Sequence, residues 1–599
     1  MRDKEWVLVG RGRPINSSAF ESPSHPAALL SGFHNLRSKG HLLDVTLIAQ
    51  GEAFKAHKVV LASCSDYFRA MFTDAMLESR QSEICLKGVS AAGMSLLLDY
   101  VYTSRLALTL ANVQDVLSAA SHVQLLPVVE ACSNYLQSQL DIENCIDIAT
   151  ISETYSLSGL RTVVIQFMCS HLVELSESPE FCRLHPGQLE HILASDFPVD
   201  CPELQVLELT LRWLSLACLP DPHRAMWTSR FLHKIQLSEI LWCDIEGLIE
   251  NEDRVTRRLV VAEALHQTKL MSPPAPRLLV NSRGMTQSIV KVGGFSIGGI
   301  TNEITYLQPS SGKWRHLTSI PHVEQCNFGT AVLHNDLYVV GGCFNQSLQE
   351  NIHPFGFRYS PRRDCWATMA PMQRERCRFS LNVASGHLIA VGGVSEGDGP
   401  IAECERYDPV GDVWERISSL PGPSTLHAAA THNGYLYVSG GLDRDIALST
   451  MRRYDWRQDR WETLAPLLSA RADHTMLVMG NSLYICGGWL DDDSTGNRIL
   501  VDSIDRYDPS EDSWSRVAKV PTPRSHAGIV SLNSKIYIIG GFQSDAMFDT
   551  ATAVVDIFDL ESQSWTCGES YPQDIWEHTC VTLYIPTCRE DMEVFPAST

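Results

Sequence analysis

GGVSEGDGPIAECERYDPVGDVW, residues 392–414, decides the fold of the C-terminal half, because its pattern recurs along the chain. The stretch opens with a glycine doublet, contains Arg406-Tyr407-Asp408-Pro409 and ends at Trp414. Doublets of this kind occur six times, at steps of 48, 51, 48, 47 and 53 residues, and a tryptophan follows each one by 21 to 27 residues. The doublets are 293–294, 341–342, 392–393, 440–441, 487–488 and 540–541, and the tryptophans are Trp314, Trp366, Trp414, Trp461, Trp514 and Trp565.

A repeat of about 50 residues is typical of β-propellers. Each unit reads as strand, glycine doublet, loop, strand, turn and tryptophan-bearing strand. A glycine pair leaves room where backbones converge near a propeller axis, and Tyr and Trp supply apolar faces that pack between neighbouring sheets. We therefore interpret these residues as structural, with binding as a minor additional role.

The two ends of the repeat region complement each other. The first unit starts at 288–292 without a preceding strand, whereas the strand-like run 579–585 follows the last tryptophan. We expect the C-terminal run to complete the first blade, because closing a ring removes exposed sheet edges. The doublet, spacing and tryptophan together resemble the kelch repeat, which implies a six-bladed propeller with four strands per blade.

The N-terminal half has a different periodicity. A proline-containing stretch, 271–277, reads as a linker. Upstream of it, apolar residues at helical spacing, such as Leu204, Leu207, Leu211 and Leu214, predict a helical array over about 141–269. Before the array, a candidate helix at 27–38 is followed by the alternating strand 42–47 and the run 54–61, which predicts an α/β unit.

This N-terminal α/β unit resembles the BTB (POZ) domain in Leu43-Asp44-Val45, in the run 54–61 and in Ser65-Asp66-Tyr67-Phe68. The helices after it resemble the BACK domain in Glu143-Asn144-Cys145 and Arg212-Trp213-Leu214. BTB, BACK and kelch in that order match the Kelch-like family. The predicted divisions are a flexible N-terminus 1–24, BTB 25–140, BACK 141–270, linker 271–287, propeller 288–586 and tail 587–599.

The family resemblance implies an adaptor that is not itself an enzyme. Family members pair through BTB as homodimers, and the best understood ones bind cullin-3 through BTB and BACK while the propeller holds a protein substrate. The implied role is substrate recognition within a cullin-3 ubiquitin ligase. The runner-up is a cytoskeletal scaffold, since some kelch proteins bind actin without a role in ubiquitin transfer.

Composition narrows the classes of partner. The formal charge of −22, from 70 acidic and 48 basic residues, disfavours nucleic acid and anionic lipid. No apolar stretch approaches the roughly 20 residues that cross a bilayer, and the N-terminus lacks a signal peptide. We expect a cytoplasmic protein without membrane insertion, with nuclear and cytoskeletal sites as alternatives.

Chemistry by the chain itself is not expected. No C-x-x-C pair occurs among the 18 cysteines, which argues against zinc fingers and hence against a BTB transcription factor. No phosphate-binding loop, H-E-x-x-H helix or G-x-S-x-G elbow occurs, and no ligand set suggests a copper oxidase. We predict no cofactor, no metal and no catalytic residue.

Four residues are candidates for the cullin surface. The family places an apolar-x-Glu motif in BTB, and Met76-Leu77-Glu78 stands at the matching place after Tyr67-Phe68. The hypothesis makes Phe68 and Met76 apolar anchors and Glu78 a charged contact. The alternative is that Tyr67, Phe68 and Met76 belong to the core and Glu78 is a solvated acid.

A second set of residues is assigned to dimerisation by the same resemblance. Leu29, Leu30 and Phe33 of the first helix are candidates for the dimer face. Asp44 and His57 stand where the family keeps a buried polar pair, which we interpret as support for the fold and the dimer face. His57 has no partnered nucleophile nearby in sequence, so a catalytic role is not favoured.

Substrate contacts are expected at one rim of the propeller channel. Candidate residues are arginines, which suit carboxylate-bearing or phosphorylated peptides: Arg374, Arg376, Arg378, Arg471 and Arg524. The open alternative is that they are solvated or cap loop carbonyls. Two longer loops, 343–354 and the acidic 489–502, are further candidates for target choice.

Overall fold

The glycine-doublet repeat folds into six antiparallel sheets in the computed structural model, five with four strands and one with an additional short fifth strand. The structure describes residues 22–73, 80–217, 219–270, 283–344, 351–491, 498–545, 548–589 and 591–594. We number the sheets as blades 1 to 6 and give their strands from the inside outward. Blade 1 comprises Thr579–Pro586, Met285–Val292, Glu303–Gln308 and Lys313–Ser319; blade 2 Gly329–Leu333, Asp336–Val340, Gly356–Ser360 and Cys365–Met369; blade 3 Ser380–Ala384, His387–Val391, Cys404–Asp408 and Val413–Ile417.

The other three blades repeat this order. Blade 4 comprises Ala428–His432, Tyr435–Ser439, Met451–Asp455 and Arg460–Leu464; blade 5 Ala472–Met479, Ser482–Asp491, Ser503–Asp508 and Ser513–Lys519; blade 6 Gly528–Leu532, Lys535–Ile539, Val555–Asp559 and Ser564–Cys567. Short extra strands decorate the loops at Phe295–Ser296, Gly299–Ile300, Val394–Ser395, Gly399–Pro400, Leu442–Asp443, Ile446–Ala447, Arg498–Leu500, Arg524–Ser525, Phe542–Asp545 and Phe548–Ala551.

The sheets close into a ring. The innermost strand of each blade contacts the innermost strands of both neighbouring blades, including blade 6 with blade 1 and blade 1 with blade 2. Thr579–Pro586 pairs antiparallel with Met285–Val292, in a register that joins Thr579 to Val292 and Pro586 to Met285. This pairing confirms the prediction that the C-terminal run completes the first blade.

The glycine doublets stand where neighbouring blades approach each other most closely. Gly440 has φ 56° and Gly441 has φ 94°. A Cβ on Gly440 would lie 2.4 Å from the carbonyl oxygen of Arg471 in the next blade. Conformation and space therefore both require glycine here.

The apolar core lies between the blades, where the repeated aromatic residues pack. The Tyr454 and Trp461 rings lie 4.9 Å apart. The Tyr454 hydroxyl donates to Asp459 at 2.5 Å, and Trp461 Nε1 donates to the Ser418 carbonyl of the preceding blade at 2.9 Å. Each buried ring thus keeps its polar atom satisfied, which supports the structural interpretation of these residues.

Part of the segment predicted as a tail is built into the ring. The amide of His316 donates to the carbonyl of Met592 at 2.9 Å, and the amide of Val594 donates to the carbonyl of Trp314 at 3.0 Å. Arg589 bonds Asp591 at 2.6 Å and Asp364 of blade 2 at 2.9 Å. These contacts cover the outer strand of blade 1 and tie it to blade 2.

The chain divides into two compact units, residues 1–192 with 215–217, and 193–214 with 218–599. The first unit contains the sheet Glu52–Ala56, Val45–Ala49 and Glu83–Leu86, in that strand order. Its helices are α1 His25–Ser38, α2 Lys58–Cys64, α3 Asp66–Thr73, α4 Ala91–Thr103, α5 Val113–His122, α6 Leu126–Ser138, α7 Cys145–Thr154, α8 Ser158–Ser170, α9 Leu172–Glu177 and α10 Pro186–Leu193.

The second unit contains the last helices together with the propeller. These helices are α11 Glu203–Leu216, α12 Asp221–Leu232, α13 Trp242–Ile249 and α14 Arg254–Leu270. A buried ion pair joins Glu203, at the start of α11, to Arg283, which lies two residues before the strand Met285–Val292 of blade 1. Arg283 Nε donates to Glu203 Oε2 at 3.2 Å. Both side chains are at most 5% exposed. In the described part of the chain, no helix has the length and apolarity needed to span a bilayer.

Two local predictions for the first unit differ from the structure. The run 54–61, which follows a predicted strand, divides into the end of the strand Glu52–Ala56 and the start of α2. The apolar residues Val59, Val60 and Leu61 are compatible with a strand or a helix, because so short an apolar run shows neither a two-residue nor a 3.6-residue periodicity. The strand expected at 42–47 begins at Val45 and runs to Ala49.

Candidate functional site

Six half-buried residues, one from the start of each blade, surround one mouth of the channel: Asn327, Arg378, Leu426, Asp473, His526 and Glu577. All six have positive φ, between 49° and 56°. The backbone amide of one ring residue donates to its neighbour around most of the ring, for example Arg378 to the Asn327 carbonyl at 2.9 Å and Glu577 to the His526 carbonyl at 2.9 Å. We call these residues the mouth ring. The bonding fixes the backbone positions from which their side chains project.

A second layer lies directly below the mouth ring: Phe328, Phe379, His427, His474, Ala527 and His578. Together the two layers line a cavity of about 290 Å³. Burial lowers the pKa of His427 to about 4 and that of His578 to about 3, and it holds the pKa of His474 well below its ordinary value. These histidines are therefore neutral at physiological pH and form an uncharged floor.

Four residues of the mouth ring contribute charge at the mouth, and two of them form an ion pair. His526 Nδ1 lies 2.9 Å from Asp473 Oδ2. Burial alone would lower the pKa of His526, but the Asp473 carboxylate raises it overall. Burial would likewise raise the pKa of Asp473, and the charged His526 lowers it overall. Arg378 and Glu577 supply the other positive and negative charges.

Arg378 is the predicted arginine that lies at the mouth. It is half-buried, and its guanidinium makes no hydrogen bond to any residue that the structure describes, with Nε shielded from solvent. An enclosed guanidinium without an acceptor is well placed to bind a carboxylate or phosphate. Contact of Arg378 with a target therefore stays a prediction.

Three of the predicted arginines, Arg376, Arg471 and Arg524, lie inside blades and not at the rim. They are at most 3% exposed. Arg376 Nη2 lies 2.6 Å from Glu405 Oε1, and Arg376 Nη1 donates to the Gly392 carbonyl at 3.0 Å. The prediction for these three needs correction, because each is buried and its guanidinium pairs with a carboxylate of its own blade instead of facing the rim.

The other two buried arginines also pair with a carboxylate of their own blade. Arg524 pairs with Asp556 and donates to the Gly540 carbonyl at 3.0 Å. Arg471 pairs with Asp505 at 2.6 Å and donates to the Ser469 and Ser503 hydroxyls. Arg376 and Arg524 thus correspond to the alternative in which the arginines cap loop carbonyls, whereas Arg471 is held by a carboxylate and hydroxyls.

Arg374 lies near the surface but is already paired. Its Nε donates to Ser395 Oγ at 2.8 Å, and Nη2 pairs with Asp398. The two longer loops are only partly described, since 345–350 and 492–497 lie outside the described residues. Next to the first of them, His322, Phe344 and His353 stack with ring centroids 4.5 to 5.8 Å apart.

The predicted cullin-binding residues that the structure describes, Tyr67 and Phe68, differ in burial. Phe68 is 2% exposed and stacks on Phe72 at 5.8 Å, so it is a core residue and not a surface anchor. Tyr67 is half-buried, with its ring 5.6 Å from His122. Met76 and Glu78 lie outside the described residues. The assignment of Phe68 as an anchor therefore needs correction, and the core alternative fits its burial.

The predicted dimer residues lie on a helix that its own unit covers poorly. None of the residues of α1 is fully buried, Leu29 is 55% exposed, and Leu30 and Phe33 are half-buried. An apolar helix face left uncovered in this way suits contact with a second copy.

Asp44 and His57 do not form the expected buried pair. Asp44 is exposed, and its carboxylate accepts the amide of Lys58 at 2.7 Å at the start of α2. His57 is buried, with Nδ1 2.8 Å from the Tyr102 hydroxyl and Nε2 3.0 Å from the His41 carbonyl. Both roles are structural, as interpreted, but they are separate.

Five residues of the mouth ring, Asn327, Leu426, Asp473, His526 and Glu577, were missed from the sequence, although the repeat carried a signal for the first four. Asn327, Arg378, Leu426, Asp473 and His526 each stand 14 residues before a doublet's first glycine, and the buried arginines Arg376, Arg471 and Arg524 stand 16 before one. Aligning the repeats at this register separates ring positions from blade interiors. Grouping the residues by type alone did not distinguish these two kinds of position.

Comparison with known families finds matches in the order in which the units occur. The BTB/POZ domain matches residues 33–140, and the family described as BTB And C-terminal Kelch matches residues 145–241. The KLHDC2/KLHL20/DRC7 Kelch-repeats domain matches residues 285–488, and the Kelch motif matches residues 470–521 and 523–570.

Similar curated proteins extend over nearly the whole chain. Kelch-like protein 26 of Homo sapiens is 36% identical over 588 residues, which cover 95% of this chain and 93% of that protein. Kelch-like protein 36 of Mus musculus is 29% identical, with 98% of each chain covered. Kelch-like protein 13 of Homo sapiens is 32% identical over 64% of this chain and 60% of that protein.

Proposed function

Since this chain belongs to the Kelch-like family, we propose that it is a substrate-recognition adaptor of a cullin-3 RING ubiquitin ligase. It would bind cullin-3 through its BTB and BACK portions and hold a target protein at the mouth of its propeller. It would contribute proximity, which raises the effective concentration of the target near the transfer machinery. The proposed location is the cytoplasm.

The observation that carries this proposal is the family assignment of all three modules on one chain. BTB, BACK and kelch matches follow one another from residue 33 to residue 570. A scaffold that only bound filaments would not require the BTB and BACK portions. Their presence favours an adaptor over the actin-binding alternative.

Arg378 is the residue proposed to contact the target. A guanidinium enclosed in the mouth, without a protein acceptor, favours a carboxylate or phosphate on the target through paired N–H donors. The neutral floor of Phe379, His427 and His474 favours an apolar neighbour to that anion. We therefore propose a target segment that inserts an anionic side chain next to an apolar one.

Cullin binding is tested by co-precipitation from cells. The double variant Met76→Ala/Glu78→Ala should lose cullin-3, because it removes the proposed apolar anchor and charged contact. The variant should keep its oligomeric state on sedimentation. Unchanged capture of cullin-3 by the double variant would contradict the assignment.

Target binding is tested by proximity labelling with the full chain, with and without proteasome inhibition. Proteins that accumulate with the wild type should be lost with Arg378→Ala. Arg406→Ala is the matched control, since Arg406 pairs with Glu415 on outer strands of blade 3. Equal loss of labelled proteins in both variants would contradict a role for the mouth.

A further inference from the structure

Three thiols meet next to the mouth ring. Cys326, Cys343 and Cys377 are at most 1% exposed and belong to one buried cluster with Phe295 and Ile352. Cys326 Sγ lies 3.6 Å from Cys343 Sγ. Nothing in the adaptor function requires thiols at this position.

The backbone bridge that holds Cys326 beside Cys343 recurs in every blade, but its side chains differ. The six bridged pairs are Phe295 with Trp576, Cys326 with Cys343, Cys377 with Val394, Thr425 with Leu442, Ala472 with Trp489 and Ser525 with Phe542. Apolar or small residues therefore meet the needs of the fold at this bridge. The thiol pair in blade 2 is an addition that the fold does not require.

The geometry of the bridge suits a disulfide. The amides of Cys326 and Cys343 each donate to the other's carbonyl at 2.9 Å. In such an antiparallel hydrogen-bonded pair the Cα atoms lie about 5.5 Å apart, which falls within the range that disulfides span. Rotation of the two side chains could bring the sulfur atoms together with little movement of the backbone.

The surroundings favour Cys343 as the thiolate. The side chains of Cys326 and Cys377, the Asn327 Nδ2 donor at 3.8 Å and the charge of Arg378 all favour the charged form of Cys343. Together they lower the pKa of Cys343, although burial opposes them. The contact with Cys343 and burial raise the pKa of Cys326 and of Cys377. One reactive thiolate thus has two neighbours able to resolve it.

A small oxidant has a short route to this cluster. Asn327 and Arg378 line the channel cavity, and each directly follows a cysteine of the cluster in sequence. Asn327 Nδ2 contacts Cys326 Sγ at 3.5 Å, so a residue that lines the cavity touches the cluster. In the described part of the chain, no three metal-ligating side chains converge as a site for a metal ion.

We propose that Cys343 is a peroxide-reactive site that forms a disulfide with Cys326. The Cys343 thiolate attacks the terminal oxygen of a hydroperoxide, the O–O bond breaks, and uptake of one proton gives the sulfenic acid and an alcohol or water. The Cys326 thiol then attacks the sulfenic sulfur, which forms the S–S bond and releases water. Two thiols are oxidised and one peroxide is reduced.

The test uses the reduced full-length protein, hydrogen peroxide and peptide mass spectrometry. Cleavage before Asp336 places Cys326 and Cys343 on separate peptides, which stay joined only if the disulfide has formed. We expect this linked pair to appear before oxidation of the exposed Cys365 and Cys588, and to revert with a thiol reductant. If Cys343 stays reduced while Cys365 and Cys588 are fully oxidised, the proposal is overturned.

Variants identify the roles of the individual thiols. Cys343→Ser should abolish the linked peptides, whereas Cys365→Ser should leave their yield unchanged. Cys326→Ser/Cys377→Ser should leave a Cys343 sulfenic acid that a cyclic 1,3-dione traps. Failure to trap Cys343 in a double variant that melts like the wild type would also overturn the proposal. These readouts do not depend on cullin or target binding, so they distinguish this inference from the proposed function.

Discussion

Arg376 and Arg378 stand two positions apart in sequence and have opposite surroundings. Arg376 is fully buried against Glu405, whereas the Arg378 guanidinium at the mouth has no hydrogen-bond partner among the residues that the structure describes. Arg376→Met should destabilise the propeller by about 3–5 kcal/mol, because it leaves a buried carboxylate without its cation. Chemical unfolding measures this loss, and adding Glu405→Gln should recover part of it. A stability equal to that of the wild type would show that the pair is not structural.

His427 offers a pH test at the residue scale. Its pKa of about 4 lies below the ordinary histidine value, so its contribution to stability is complete above about pH 6.5 and falls as the pH decreases toward 4. His427→Phe copies the phenylalanines that blades 2 and 3 carry at this position, Phe328 and Phe379. We expect melting temperatures of this variant to decrease less between pH 6.5 and 4.5 than those of the wild type. An unchanged slope would contradict the role assigned to His427.

The sequence predicted the roles of residues correctly where each repeat allows only one residue type at a position. It predicted them wrongly where the same residue type, arginine, occurs both at the mouth and inside the blades. The doublets and tryptophans were identified because close blade approach and interblade packing leave few substitutes. The arginines were grouped by chemistry, although their positions relative to the doublets already separated Arg376 from Arg378. Burial of Phe68 depended on helix packing that a short motif does not encode.

Among the strands, the C-terminal one is expected to contribute most to the stability of the ring, because it closes the ring. Thr579–Pro586 supplies the innermost strand of blade 1 and contacts blades 2 and 6. A chain ending at residue 578 should aggregate or lose its cooperative unfolding, because it exposes two sheet edges. Calorimetry and light scattering measure this. Ending the chain at residue 594 is the control, and a truncation at 578 that melts like this control would refute closure by this strand.

Strands and helices could be predicted from the sequence where the spacing of their apolar residues fits only one type of element. The blade strands and the helices between Cys145 and Leu270 have periods that single sequences display well. The run 54–61 joins a strand to a helix within eight residues, and the outer contacts of Met592 and Val594 have no periodic signal. The structure of these segments depends on contacts with residues that are distant in sequence.

At the scale of the whole molecule, α1 should hold two copies together. Leu29 is largely exposed on this helix, and an apolar face of this kind is covered in a dimer. Leu29→Asp/Phe33→Asp should sediment as a monomer at micromolar concentration, whereas the wild type should sediment as a dimer. An unchanged dimer would contradict the assignment, and unchanged ellipticity is the control for folding.

Binding of cullin-3 by the intact protein tests the central claim most directly. Sedimentation velocity of the full-length chain mixed with the N-terminal half of cullin-3 should show one cullin bound per protomer, in a complex that contains two of each. The variant Met76→Ala/Glu78→Ala should remain a dimer without cullin. A wild-type dimer that sediments unchanged in excess cullin-3 would contradict the proposed adaptor function.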